Sequence, residues 1–102
     1  MSYSILVVDD DPYVRSLVEN LLICENYNVL LASNGEEAIE IVYKNHVDLI
    51  LLDIMMPGIN GFEVCKRLKS QRKYNLIPVI MLTALKGDTN ILHGIRTGAD
   101  EY

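Results

Sequence analysis

Four short and almost unbroken apolar runs, Ile5–Val8, Val29–Ala32, Leu49–Leu52 and Val79–Leu82, recur along the chain with longer segments of helical period between them. No other feature narrows the fold as much. A strand with a solvent-facing side alternates apolar and polar residues, whereas one covered on both faces reads as a continuous apolar run. Parallel strands need a crossover of a dozen or more residues, which leaves room for a helix between each pair. The pattern therefore predicts an α/β protein in which βα units wind around a parallel sheet covered on both faces. With 102 residues, half of them hydrophobic, there is material for one core and too little for two, so residues 1–102 are expected to form one domain.

The intervening segments carry helix signals. Val14, Leu17, Val18, Leu21 and Leu22 follow the i, i+3, i+4, i+7, i+8 spacing of an apolar stripe, and Asp11-Pro12 supplies a cap followed by a first-turn proline. Asn34-Gly35 precedes a second stripe of Ala38, Ile41 and Val42, flanked by Glu36, Glu37 and Glu40. Asn60-Gly61 precedes Phe62, Cys65 and Leu68, with Lys66, Arg67 and Lys69 directed away. Asp88 is placed to cap a fourth helix carrying Ile91, Leu92 and Ile95, with Gly98 at its end. Ala99 to Tyr102 would begin a fifth strand, and since the sequence stops there an unfinished fold is expected.

Charge removes several function classes. A formal charge of −5 and a pI of about 4.8 leave no basic stripe for nucleic acid or an anionic membrane. Cys24 and Cys65 lie in apolar helical patterns without CxxC spacing, so both are expected to be buried thiols in a reducing compartment. The N-terminus lacks a basic segment ahead of its apolar run, and no run is long enough for a membrane span, so a cytoplasmic location is expected. His46 and His93, in separate helical contexts, read as surface or partly packed imidazoles. The Lys66, Arg67, Lys69, Arg72, Lys73 cluster reads as a solvated face or a partner contact.

Open parallel sheets bind ligands at the carboxyl ends of their strands, beside the point where strand order reverses. Here the first run ends in Asp9-Asp10-Asp11, the third in Asp53 and the fourth in Thr83-Ala84. Carboxylates crowded at one edge repel unless they share a cation or one takes up a proton. Oxygen-only ligands favour a hard ion, and magnesium best fits one or two carboxylates plus waters and a phosphoryl oxygen. Asp53 could then act as nucleophile toward phosphorus, with the Thr83 hydroxyl donating to a phosphoryl oxygen. Taken singly each residue has a plainer reading: Asp11 as a helix cap, Asp53 as a strand-exit turn, Thr83 as structural. Their joint placement at three strand ends raises the chemical reading.

The segments ILVVDDD, LILLDIMMPGINGFEV, IPVIMLTA and GADEY, in that order and spacing, resemble the receiver domains of two-component response regulators along the whole chain. The resemblance implies a flavodoxin-like doubly wound sheet of order 2-1-3-4-5, here with strand five incomplete and helix five absent. It implies that Asp53 is the phosphoacceptor, taking its phosphoryl group from a sensor histidine kinase or phosphotransfer protein. Mg2+ (or Mn2+) would be bound by Asp10 directly, by Asp9 largely through water, by Asp53, and by the backbone carbonyl of Met55. Thr83 and Tyr102 match the switch hydroxyl and its aromatic partner, which alter an interaction surface near helix four and strand five. Met56-Pro57-Gly58 matches the loop beside the site. Such a module phosphorylates and dephosphorylates only itself and signals to an output domain or downstream protein. The family's phosphoryl-pairing lysine would come a few residues past Tyr102. A fragment or truncation is the implied account, with impaired switching, and with uncovered apolar faces that favour dimerisation or low stability. Two alternatives compete. A haloacid-dehalogenase-like phosphohydrolase would use Asp9 and Asp11, but Tyr13 and Pro12 do not suit its loop. A phosphorylation-independent pseudo-receiver would have no chemical need for Asp9, Asp10, Asp53 and Thr83 together.

Overall fold

The structure is a computed structural model that describes residues 3–82. Along the chain these residues form β1 (Ser4–Val8), α1 (Pro12–Cys24), β2 (Asn28–Ala32), α2 (Gly35–Lys44), β3 (Leu49–Asp53), α3 (Gly61–Lys69) and β4 (Val79–Leu82). Each apolar run became a strand, with ends shifted by no more than one residue. All pairings are parallel and the sheet order is β2-β1-β3-β4, the first four strands of the expected arrangement. The expected fourth helix, fifth strand, Thr83, His93 and Tyr102 lie outside the described residues.

Side chains that pair across a parallel ladder point to the same face. The register Leu6–Leu30, Leu6–Ile50, Val8–Ala32, Val8–Leu52, Ile50–Val79 and Leu52–Met81 therefore assembles one apolar face. That face meets Ala38, Ile39 and Val42 of α2 and Phe62, Val64, Cys65 and Leu68 of α3 in a single core. The second helix buries Ile39 as well as Ala38 and Val42, and Ile41 is only half-buried, because α2 packs against α3 as well as against β1 and β2.

The opposite face is covered less evenly. α1 contacts β1 and β2, and Ile5 and Val7 are buried there, but Leu49, Leu51, Ile80 and Leu82 are half-buried. The expectation of strands covered on both faces thus holds for β1, while β3 and β4 alternate buried and half-buried residues. α1 buries none of its residues, and Leu17 and Leu21 of its predicted stripe are 52% and 60% exposed. Cys24, the last residue of that helix, is accordingly exposed, which corrects the expectation that both thiols are buried; Cys65 is buried in the core. His46 also departs from expectation by lying just past α2 rather than within a helix, and its exposed ring meets the Asp48 carboxylate at 2.7 Å.

Side-chain caps fix where the helices begin. Asp11 accepts the Tyr13 N–H at 2.9 Å, and Asn60 accepts the Glu63 N–H at 3.0 Å. At α2 Asn34 accepts the Glu37 N–H, and the Glu37 carboxylate reaches back past the cap to accept the Ser33 N–H.

Candidate functional site

β1 connects to β2 on one side of itself while its other neighbour is β3, so the strand order reverses between β1 and β3. A crevice opens beyond the carboxyl ends at such a point. The register pairs Val8 with Leu52, which brings Asp9, the residue after β1, alongside Asp53, the last residue of β3. One carboxylate oxygen each from Asp9, Asp10 and Asp53 lies within 4.8 Å of the others, with Asp9 buried, Asp53 half-buried and Asp10 exposed. The trio therefore runs from the sheet edge out to solvent.

The backbone around it is held closely. Asp9 donates its N–H to the Ala32 carbonyl at 3.1 Å, its Oδ1 accepts the Asp11 N–H at 2.9 Å, and its carbonyl accepts Nη1 of Arg15 at 2.9 Å. Asp53 Oδ1 accepts the Met55 N–H at 3.3 Å. After β3 the chain turns through Gly58, whose φ of +79° suits glycine, and enters α3 at Gly61, whose N–H bonds the Ile54 carbonyl at 2.9 Å. A Cβ on Gly61 would sit 2.4 Å from the Asp53 carbonyl oxygen. Only glycine lets α3 start this close to the strand that presents Asp53.

Electrostatics make the trio uncomfortable in the absence of a cation. Burial pushes the Asp53 carboxyl up to about 6; the Asp9 charge and, less strongly, the Asp10 charge add to the rise, and the Met55 and Ile54 N–H groups oppose it. At their separation the Asp9–Asp53 repulsion is on the order of 1–3 kcal/mol for an effective dielectric between water and the protein surface. Neutralisation by a divalent ion relieves that cost. The donor set is all oxygen, and opposite ligands of an octahedral ion at ~2.1 Å stand ~4.2 Å apart, so small side-chain adjustments suffice for magnesium.

The structure thus brings together Asp9, Asp10 and Asp53 as the sequence reading anticipated. Asp11 takes the plainer role of helix cap. Met55 lies beside Asp53 through its N–H, with its side chain 63% exposed. Thr83 and Tyr102 are outside the described residues. Two contributors went unnoticed in the sequence: Arg15, whose spacing on the polar side of α1 suggests an ordinary surface cation, and Gly61, which reads as turn punctuation. Neither the carbonyl reached by Arg15 nor the backbone met by Gly61 leaves any mark in a residue pattern.

A family model for the response regulator receiver domain matches residues 5–102. The chain belongs to this family. Among curated relatives, the transcriptional regulatory protein AfsQ1 of Streptomyces coelicolor is 38% identical over 99 residues, covering 97% of this chain and 43% of the relative. YvrH of Bacillus subtilis, also a transcriptional regulatory protein, is 44% identical over 100 residues, with 97% and 41% covered. The receiver spans about two fifths of the length of the curated relatives it matches. Among solved structures, the chemotaxis protein CheY4 of Vibrio cholerae superposes with a TM-score of 0.94 at 32% identity, covering 99% of this chain and 84% of that one. The BeF3-activated N-terminal receiver domain of Klebsiella pneumoniae RstA gives 0.90 at 34%, covering 97% and 82%. Family membership assigns the chain a phosphoacceptor role in two-component signalling. It also removes the dehalogenase-like alternative, for which Asp11 would have to serve chemistry rather than cap a helix.

Proposed function

We propose that Asp53 is the residue that takes the phosphoryl group, from a phosphohistidine of a sensor histidine kinase or phosphotransfer protein. Asp9, Asp10, Asp53 and the Met55 backbone carbonyl would hold Mg2+ or Mn2+ for this step. The observation that carries the reading is the meeting of three carboxylates within 4.8 Å at the strand-order reversal. A bound divalent ion would neutralise the carboxylates and polarise phosphoryl oxygens. Asp53 presents an oxygen to phosphorus, the new O–P bond forms as the P–N bond breaks, and the electron pair returns to the donor imidazole. The Met55 N–H keeps the Asp53 carboxylate oriented throughout. Thr83 follows Leu82, the register partner of Asp53, and is assigned the hydroxyl that donates to the phosphoryl group. Tyr102 is assigned the aromatic response to that contact.

Residues 1–102 would act as one such module, turning over no separate substrate and working in the cytoplasm. The greater length of the transcriptional relatives supports attachment to an output domain, with nucleic-acid contacts left to that domain by a segment of charge −5. The exposed Leu17 and Leu21 support self-association through the α1 side. Among the described residues, no helix is long and apolar enough to cross a membrane.

Incubation with acetyl phosphate followed by intact-protein mass measurement tests the reading. One added phosphoryl group is expected with Mg2+, none with EDTA, and none in Asp53→Asn. Labelling that persists in Asp53→Asn would refute the assignment. Absence of both labelling and any Mg2+-dependent NMR shift at millimolar concentration would instead establish the pseudo-receiver alternative.

A further inference from the structure

Asp9 is tied down at every polar group it has, and the tie to its carbonyl differs in kind from the other two. The N–H and carboxylate bonds are made with neighbouring backbone, whereas the carbonyl accepts from a side chain six residues on, Nη1 of Arg15 at 2.9 Å. Arg15 is itself fixed by α1, where its N–H donates to the Asp11 carbonyl at 3.0 Å. Among the described residues it forms no ion pair. Its guanidinium is spent on a backbone oxygen.

The consequence falls on Asp10. The Asp9 carbonyl and the Asp10 N–H belong to one planar peptide unit, so fixing the direction of the carbonyl fixes ψ of Asp9 and with it the direction of the Asp10 N–H and the place of its Cα. Asp10 is the exposed member of the trio, and among the described residues its carboxylate accepts no hydrogen bond. Its aim depends on the backbone that carries it. We propose that Arg15 is a positioning residue of the metal site, which holds the Asp9–Asp10 peptide and thereby sets the strength with which a divalent cation binds. The proposal rests on the trio being a cation site, as argued above.

Charge and positioning act in opposite directions, which makes the idea testable. Removing a nearby positive charge strengthens binding of a cation, whereas releasing the peptide weakens it. The experiment is a Mg2+ titration of the full chain followed by amide NMR, for wild type, Arg15→Met and Arg15→Lys, with urea unfolding of each to establish that all are folded. Arg15→Met is expected to bind Mg2+ roughly tenfold more weakly, as outer partners of metal ligands commonly do when removed. The metal-free Asp10 amide resonance should move with it, and Arg15→Lys should recover part of the affinity. Affinity in Arg15→Met equal to or tighter than wild type overturns the proposal. So does a lysine variant as weak as the methionine one with the Asp10 amide unmoved in both. Failure of the wild type itself to bind Mg2+ would count against the proposed function.

Discussion

Gly61→Ala is the smallest change that should couple the fold to the site. A Cβ there would lie 2.4 Å from the Asp53 carbonyl oxygen, 2.9 Å from the Ile54 Cα and 3.1 Å from the Asp53 carbonyl carbon. All three are backbone atoms, so no side chain can swing aside. Ordinary contact begins near 3.4 Å, and relief requires the start of α3 to move from the end of β3 by close to 1 Å. Alanine in a helix would by itself gain about 0.5–1 kcal/mol over glycine. Overpacking costs about 1–3 kcal/mol, and the displacement also strains the bond from the Gly61 N–H to the Ile54 carbonyl, leaving a net loss of about 1–2 kcal/mol. Because the clashing oxygen belongs to Asp53, its carboxylate moves too, and Mg2+ affinity should fall along with stability. Urea unfolding monitored by circular dichroism, paired with a Mg2+ titration, measures both. A variant as stable as wild type with unchanged Mg2+ affinity would refute the close-approach argument.

Three further outcomes follow from the same geometry. The Asp53 carboxyl titrates near 6 when folded against an ordinary 3.8, so the folded chain binds the extra proton between those values, and metal-free stability should fall as pH rises from about 4 to about 6. Thermal melts in EDTA should show this decline for wild type, and Asp53→Asn should lack that part of it; identical profiles would contradict the assigned cause. At neutral pH without metal, Asp53→Asn should unfold at higher urea than wild type, because a repelled carboxylate has been replaced by a neutral amide; a lower midpoint would argue against repulsion within the trio. Asn60→Ala should cost about 1 kcal/mol by removing the acceptor for the Glu63 N–H, and a urea midpoint equal to wild type would show that the cap contributes nothing.

Much of this was legible in the residues because the deciding physics is local and periodic. Leu49–Leu52 is apolar throughout because one face of β3 is buried in the core and the other is half-covered, and Asp11-Pro12, Asn34-Gly35 and Asn60-Gly61 announce helices through bonds made within three residues. The trio was legible for a similar reason: Asp9 and Asp10 are the first two residues after β1 and Asp53 ends β3, and parallel pairing in register puts such strand ends side by side. Where the reading fell short, the cause lay in three-dimensional neighbours. The stripe of α1 has the same spacing as a buried one, yet Leu17, Leu21 and Cys24 are exposed. Ile39 is buried because α3 lies against α2, a contact that a single-helix pattern does not encode. The Arg15–Asp9 bond depends on how α1 leaves β1, and sequence spacing alone does not distinguish it from a solvated arginine.

In the proposed function one hard cation sits among three acidic side chains so that Asp53 can capture phosphorus. Crystals of the chain grown with Mn2+ and beryllofluoride, with anomalous diffraction collected for manganese, test it most directly. The expected result is one strong anomalous peak in contact with Asp10, Asp53 and the Met55 carbonyl, within a water's reach of Asp9, and beryllofluoride attached to an Asp53 carboxylate oxygen. Manganese bound elsewhere, or beryllofluoride on any other residue, would contradict it.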